Sequence, residues 1–202
     1  SKKSNTPAKL FFSLNIIEID LYYKENRSVQ LLKNVSPISP LSSIATDIHK
    51  TCIAQFLAEI IVKSVREESH NYELFIFLEE AVLILEKTEN AIGNFHIIFL
   101  LKLAALLGFK ITNNYCSHTP FFNVREGMFL PLYTCDEDSL DNIESNILSD
   151  FLKLELKDFS KINVNYKERK KLLNSLIKYY QHHALNTQEI KSIGVLFDIF
   201  GE

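Results

Sequence analysis

The sequence predicts an α+β chain that is mostly α: a short β-hairpin first, then a helical domain carrying a second, small hairpin. Three observations predict it. Residues 97–107 are apolar at every position but Lys102. A helix apolar on all sides needs cover on all sides, so this run is the axis of a helical core. Residues 15–23 alternate at period two, with Ile17, Ile19, Leu21 and Tyr23 on one side, the pattern of a half-buried strand. Finally, 202 residues with 47% apolar content and only 5 Gly and 5 Pro can bury a sizeable core.

The elements follow in chain order. A strand over 15–23 turns at the polar run Lys24, Glu25, Asn26, Arg27 and returns over 28–32. A lone hairpin is marginal in water and has two open edges, so it is expected to belong to a larger sheet. Pro37 and Pro40 among serines mark a boundary near residue 40. Asp47 is placed to cap a helix over 47–68, with Ile48, Cys52, Ile53, Phe56, Leu57, Ile60 and Ile61 as its apolar stripe. Asn71 opens a second helix to Lys87, with Leu74, Phe75, Leu78, Val82 and Leu85 inward.

The buried helix runs over 90–107 and stops at Gly108, which can take the left-handed conformation. Its run is too short for a bilayer, which needs about 20 apolar residues. Residues 121–132 read as a small hairpin with Arg125, Glu126 and Gly127 at its turn. Acidic residues dominate a helix over 138–154. Helices over 165–184 and 187–200 complete the set, and no internal repeat is present.

Composition narrows the function classes. The formal net charge is −3, so any nucleic-acid binding must come from local patches. Three cysteines with no CxxC pair argue against a disulfide framework and a ribbon-type zinc site, and for a reduced cytoplasmic protein. The chain begins at Ser1 and its single Met is Met128, which suggests a truncated or processed product.

Charge is unevenly spread. Residues 136–150 hold six carboxylates and no cation, whereas residues 157–183 hold seven Lys or Arg against two carboxylates. The basic run Lys167, Arg169, Lys170, Lys171, with Tyr166, Tyr179 and Tyr180, has two readings. It is a backbone-tracking surface with stacking rings, or the solvated face of a helix that buries Leu172, Leu173, Leu176 and Ile177. Lys2, Lys3 and Lys9 form a terminal patch of the kind that grips phosphates.

Other signals have plain readings. Cys116, His118 and Cys135 with Asp136 or Asp138 have the donor types for zinc but the wrong spacing, so no metal is expected. Cys52 and His96 read as core, His182 and His183 as a complement to a helix dipole, and Glu79 and Glu86 as a solvated face. With no HExxH, GxSxG or phosphate-binding loop in the chain, nothing argues for an active site.

Five segments carry a resemblance: residues 14–27 (LNIIEIDLYYKENR), 47–68 (DIHKTCIAQFLAEIIVKSVREE), 91–109 (AIGNFHIIFLLKLAALLGF), 122–129 (FNVREGMF) and 179–200 with Lys191 and Ser192. In order and spacing the chain resembles the bacterial recombination mediator family RecO, in the form found in Bacteroidetes-type bacteria. The resemblance implies the last strands of an OB-fold barrel over 1–38, with roughly the first forty residues of the family pattern lacking. It implies a helical domain over 39–202 with a degenerate, zinc-less loop and hairpin at 111–135. OB folds are five-stranded barrels used for oligonucleotides.

The resemblance also implies a non-enzymatic, cofactor-free, nucleoid-associated repair role. Such a protein binds single- and double-stranded DNA, anneals strands, works with RecR and loads recombinase onto DNA coated by single-strand-binding protein. It docks the acidic, apolar C-terminal tail of that protein. The expected DNA contacts are Lys2, Lys3 and Lys9, then Lys24, Arg27, Lys167, Arg169, Lys170 and Lys171. Lys63, Arg66, Lys102 and Lys110 are rim candidates for the tail, since carboxylates need Lys or Arg beside an apolar groove. Two other readings stay open: a protein-interaction module without DNA binding, and an enzyme with a loop site at Cys116, His118 and Arg125.

Overall fold

The chain is built around one helix, and the apolar run explains why. The computed structural model describes residues 10–65, 71–89, 91–134, 138–185 and 189–201. Its elements are β1 (Ile17–Tyr22), β2 (Leu31–Pro37), α1 (Ser42–Thr46), α2 (Ile48–Ser64), α3 (Tyr72–Lys87), α4 (Phe95–Leu106), β3 (Phe121–Asn123), β4 (Met128–Leu130), α5 (Asn142–Leu152), α6 (Tyr166–Tyr180) and α7 (Ser192–Phe200). Nine of the twelve residues of α4 are buried. The helix meets α3, α5, α6 and a 3-10 turn at Leu156–Lys161.

The ends of α4 are set locally. Its C-terminus is a Schellman stop: Gly108 has φ +90°, Gly108 donates to the Ala105 carbonyl at 3.2 Å and Phe109 to the Ala104 carbonyl at 3.0 Å. At the other end, the helix expected over 90–107 is interrupted. Ala91 takes φ 58°, a 3-10 turn covers Ile92–Asn94, and α4 begins only at Phe95. Asn94 does not cap it. Its side chain instead donates to the carbonyls of Phe159 and Ile162 at 3.2 and 2.7 Å, tying the start of α4 to the 156–161 turn.

Capping residues set the other starts as their side chains dictate. Asp47 accepts from the amides of His49 and Lys50, and Asn71 from that of Leu74. Asp141 with Glu144, and Asn165 with Glu168, form full capping boxes on α5 and α6.

Several boundaries and faces differ from expectation. The return strand starts at Leu31 rather than at residue 28. Gln30 explains the delay: its amide accepts from the Lys24 amide and donates to the carbonyls of Lys24 and Arg27, so the turn extends to residue 30. Helix α2 ends at Ser64, and Ile48 and Phe75 are exposed rather than inward. Glu86 is not a solvated carboxylate. It accepts from the amides of Ser43 and Ile44 at 2.8 and 2.9 Å and so caps α1, a helix that sequence periodicity does not announce. Tyr179 and Tyr180 are buried, which removes them as stacking rings; Tyr180 donates to the Leu100 carbonyl at 2.7 Å.

Helix α6 ends at Tyr180 in one wide, π-type turn over Gln181–Leu185. There His182 faces Asp138 at 3.4 Å and His183 faces the Arg125 carbonyl at 3.1 Å. They sit in the last helical turn, where the sequence places them, and also hold the small hairpin against it. The hairpin itself pairs Phe121 with Leu130 and Asn123 with Met128. No helix of the described residues is long and apolar enough to cross a membrane.

Candidate nucleic-acid interface and partner cleft

The first hairpin pairs β1 and β2 antiparallel, Ile17 opposite Pro37 and Tyr22 opposite Leu31, with a register shift between Asp20 and Leu21. The Gln30 clasp pins its tip. Lys24 and Arg27 therefore sit exposed on an ordered turn, and Tyr22 and Tyr23 stand beside them at 54% and 72% exposure. Cations and open aromatic rings on one pinned edge are the elements of single-strand recognition: charge for phosphates and flat rings for bases. Sequence reading placed Lys24 and Arg27 but passed over Tyr22 and Tyr23, because period-two alternation consigned Tyr23 to a packed face. The first-ranked lysines, Lys2, Lys3 and Lys9, lie outside the described residues.

The basic run of α6 does not form one face. Lys167 is exposed. Lys170 lies 4.7 Å from the centroid of the Phe197 ring. Lys171 is paired with Glu144 at 2.7 Å, and that carboxylate raises its pKa. Arg169 turns inward over Gly93, where a Cβ would come within 2.2 Å of Nη1. It donates to Asn94 Oδ1 at 3.3 Å.

Arg169 organises a cleft. Burial pushes its pKa below the ordinary value, and its buried Nε has no hydrogen-bond partner among the described residues. The same holds for Nδ1 of His96, whose imidazole is driven down to about 3 by burial and then by the charge of Arg169. His96 is thus a core residue, but not a satisfied one. The cleft beside Arg169 encloses about 390 Å³ between Gly93, Ile92, His49, Ile199 and Phe200, with Asp47 and Glu89 also on its wall. Asp47 is already engaged as the cap of α2.

The rim candidates for a tail are dispersed. Lys63 is paired with Glu59 at 2.6 Å and Lys102 with Glu155 at 2.9 Å. Lys110 is exposed after α4, and Arg66 lies outside the described residues. Among the expected cations, Arg169 lines this mixed cleft, with Ile92, Ile199 and Phe200 as its apolar members and Asp47 and Glu89 as its carboxylates, while Lys170 rests on Phe197. Spacing held no signal for this, because nothing in the α6 run marks which cation turns inward.

The loop with Cys116 and His118 shows no cluster of three or more metal-ligating side chains among the described residues. Cys135 and Asp136 lie outside them, and Asp138 is engaged by Arg125 and His182. The exposed Cys116 thiol is lowered to about 7, first by the Thr119 hydroxyl and then by the His118 and Thr119 amides.

A family profile described as "Recombination protein O C terminal" matches residues 45–191. The chain belongs to the RecO family. Similar proteins include the "DNA repair protein RecO" of Flavobacterium psychrophilum, 34% identical over 200 residues that span 99% of this chain and 82% of that protein. That of Flavobacterium johnsoniae is 33% identical over the same shares, and that of Bacteroides fragilis 29% identical over 201 residues, 99% of this chain and 83% of that protein. The profile covers the helical part from the end of α1 to Lys191, just before α7. The matches support a role in DNA repair and recombination for this RecO-family chain. The profile describes the architecture around α4, and the relatives match nearly the whole chain, the first hairpin included.

Proposed function

We propose that the chain is a non-enzymatic recombination mediator that binds DNA through its first hairpin. The hairpin is read as the closing strands of an OB-fold barrel. The observation that carries this is Tyr22 and Tyr23 standing open beside Lys24 and Arg27 on a turn clasped by Gln30. Neutralising phosphates on two strands lets them approach, which is the physical requirement for annealing. Lys2, Lys3 and Lys9 are proposed as further phosphate contacts on the ground of their charge, and RecR and recombinase loading complete the mediator role.

The test is anisotropy of labelled single-stranded DNA across salt. Tyr23→Ala is expected to cost about 1–3 kcal/mol, the worth of one base stack. Lys24→Ala and Arg27→Ala should each reduce the salt slope by roughly 0.7. Wild-type affinity in Tyr23→Ala with an unchanged slope in both charge variants would refute the hairpin as the contact.

The Arg169 cleft favours a second reading, tail docking with or without DNA binding. An acidic, apolar peptide ending in a carboxylate needs a cation beside apolar side chains; Arg169 with Ile92, Ile199 and Phe200 supplies these, and Asp47 and Glu89 on the same wall restrict the site to the one carboxylate that Arg169 can pair. A peptide copying the tail of single-strand-binding protein is expected to bind at micromolar Kd, and to need both its carboxylate and its Phe. Arg169→Lys should weaken it about tenfold, because a point charge replaces a planar fork. Equal binding of a peptide lacking the terminal carboxylate would refute this site.

A further inference from the structure

The outer side of α3 is apolar where a solvated helix should be polar. Tyr72, Phe75 and Ile76 are 75%, 53% and 38% exposed at spacing i, i+3, i+4. That spacing makes them neighbours on one helical surface, whereas apolar residues scattered singly need no explanation. The inward side of the same helix is already occupied by Leu74, Ala81, Val82 and Leu85. The helix is therefore apolar on two sides, and only one of them is covered among the described residues.

Charge selects the occupant. Glu73 and Glu80 lie along one side of the patch and Glu79 continues its line one turn on, and among the described residues none of the three has an ion-pair partner. The only cation of α3, Lys87, sits in its last turn. Phosphates would be repelled here. A second copy meeting the patch through a two-fold axis would set carboxylates against carboxylates. Three apolar side chains in an i, i+3, i+4 ridge fit the groove of another helix, and the flanking carboxylates fit Lys or Arg along its sides. We propose that the outer face of α3 is a docking surface for a basic amphipathic helix of another protein, with an apolar ridge flanked by Lys or Arg. This surface is separate from the hairpin and from the Arg169 cleft and depends on neither.

The probe is a labelled 18-residue helical peptide with Leu at i, i+3, i+4 and i+7 and Lys along both flanks, beside a counterpart carrying Glu in place of Lys. Anisotropy is measured with the full chain, folding being verified by circular dichroism. The Lys peptide is expected to bind, the Glu peptide at least tenfold more weakly. Raising salt should weaken the Lys peptide several-fold. The combined Glu73→Gln, Glu79→Gln, Glu80→Gln variant should lose about tenfold, as three rim pairs allow, and Ile76→Ser a similar factor through lost apolar contact. No binding to the folded chain, or equal binding by the triple variant, overturns the proposal. So does self-association in sedimentation that Ile76→Ser abolishes, which would identify a second copy as the occupant.

Discussion

Glu59 is the point at which a single charge holds two helices together. It sits on α2 and receives the ammonium of Lys63 at 2.6 Å, the amide of Lys191 at 3.0 Å, and the amide of Ser192 at 2.8 Å together with its hydroxyl. It thus caps α7, 133 residues away in sequence, and decides where that helix begins. Burial pushes the carboxyl up, but Lys63, the Ser192 hydroxyl and the two amides outweigh it and hold the pKa at about 2 against an ordinary 4.5. At 1.36 kcal/mol per pH unit that difference corresponds to about 3 kcal/mol as an upper bound. One-fifth of the side chain still meets water, so about 2 kcal/mol is expected after screening.

The perturbation is Glu59→Gln, which keeps the shape but removes the charge and sets an amide nitrogen against amide donors. Urea and thermal melts at several pH values are the assay. At pH 7 the variant should lose about 2 kcal/mol, or roughly 4–8 °C in Tm for a chain of this size. The folded pKa lies below the ordinary one, so the contribution is complete above about pH 5 and is lost as pH falls from 4.5 through 2. Wild type and variant should converge near pH 2. A difference of the same size at pH 7 and pH 2.5, or one below about 0.5 kcal/mol at pH 7, would refute the reasoning.

Three further outcomes are expected. Gly93→Ala would place a Cβ 2.2 Å from Arg169 Nη1, displace the guanidinium from its cleft, cost about 1–2 kcal/mol in a urea melt and weaken tail-peptide binding at least fivefold. Asn94→Ala would leave the carbonyls of Phe159 and Ile162 without their donor, at a cost of about 2–3 kcal/mol by the same measurement. In a Cys135→Ser background, alkylation by iodoacetamide should follow a thiol near pH 7 at Cys116, while Cys52, buried and raised in pKa, stays unmodified until the chain unfolds. Thr119→Val should move the Cys116 profile upward.

Much of the frame is legible residue by residue. The buried axis is legible in an apolar run broken only by Lys102, its stop in Gly108, and helix starts in Asp47, Asn71 and Asn165, because these are local choices between a side chain and its own backbone; the helix expected from 138 begins only after its cap Asp141. Lys24 and Arg27 were legible as a turn for the same reason. What periodicity could not carry is any interaction whose partners lie far apart in the chain. Glu86 and Glu59 look like solvated helix carboxylates until α1 and α7 arrive to be capped. Tyr179 and Tyr180 look like stacking rings until α4 and the loop after it bury them.

The cleft shows the division most clearly. Arg169, Lys170 and Lys171 are neighbours in sequence, and their types promise one basic face. The helical turn of about 100° per residue points them in three directions, and the elements waiting there differ: Gly93 and Asn94, the Phe197 ring, and Glu144. Sequence alone determined that α6 is cationic, amphipathic and begins at Asn165. Only the tertiary structure decided which cation is buried beside a groove, because burial is conferred by neighbours that the local chain does not contain.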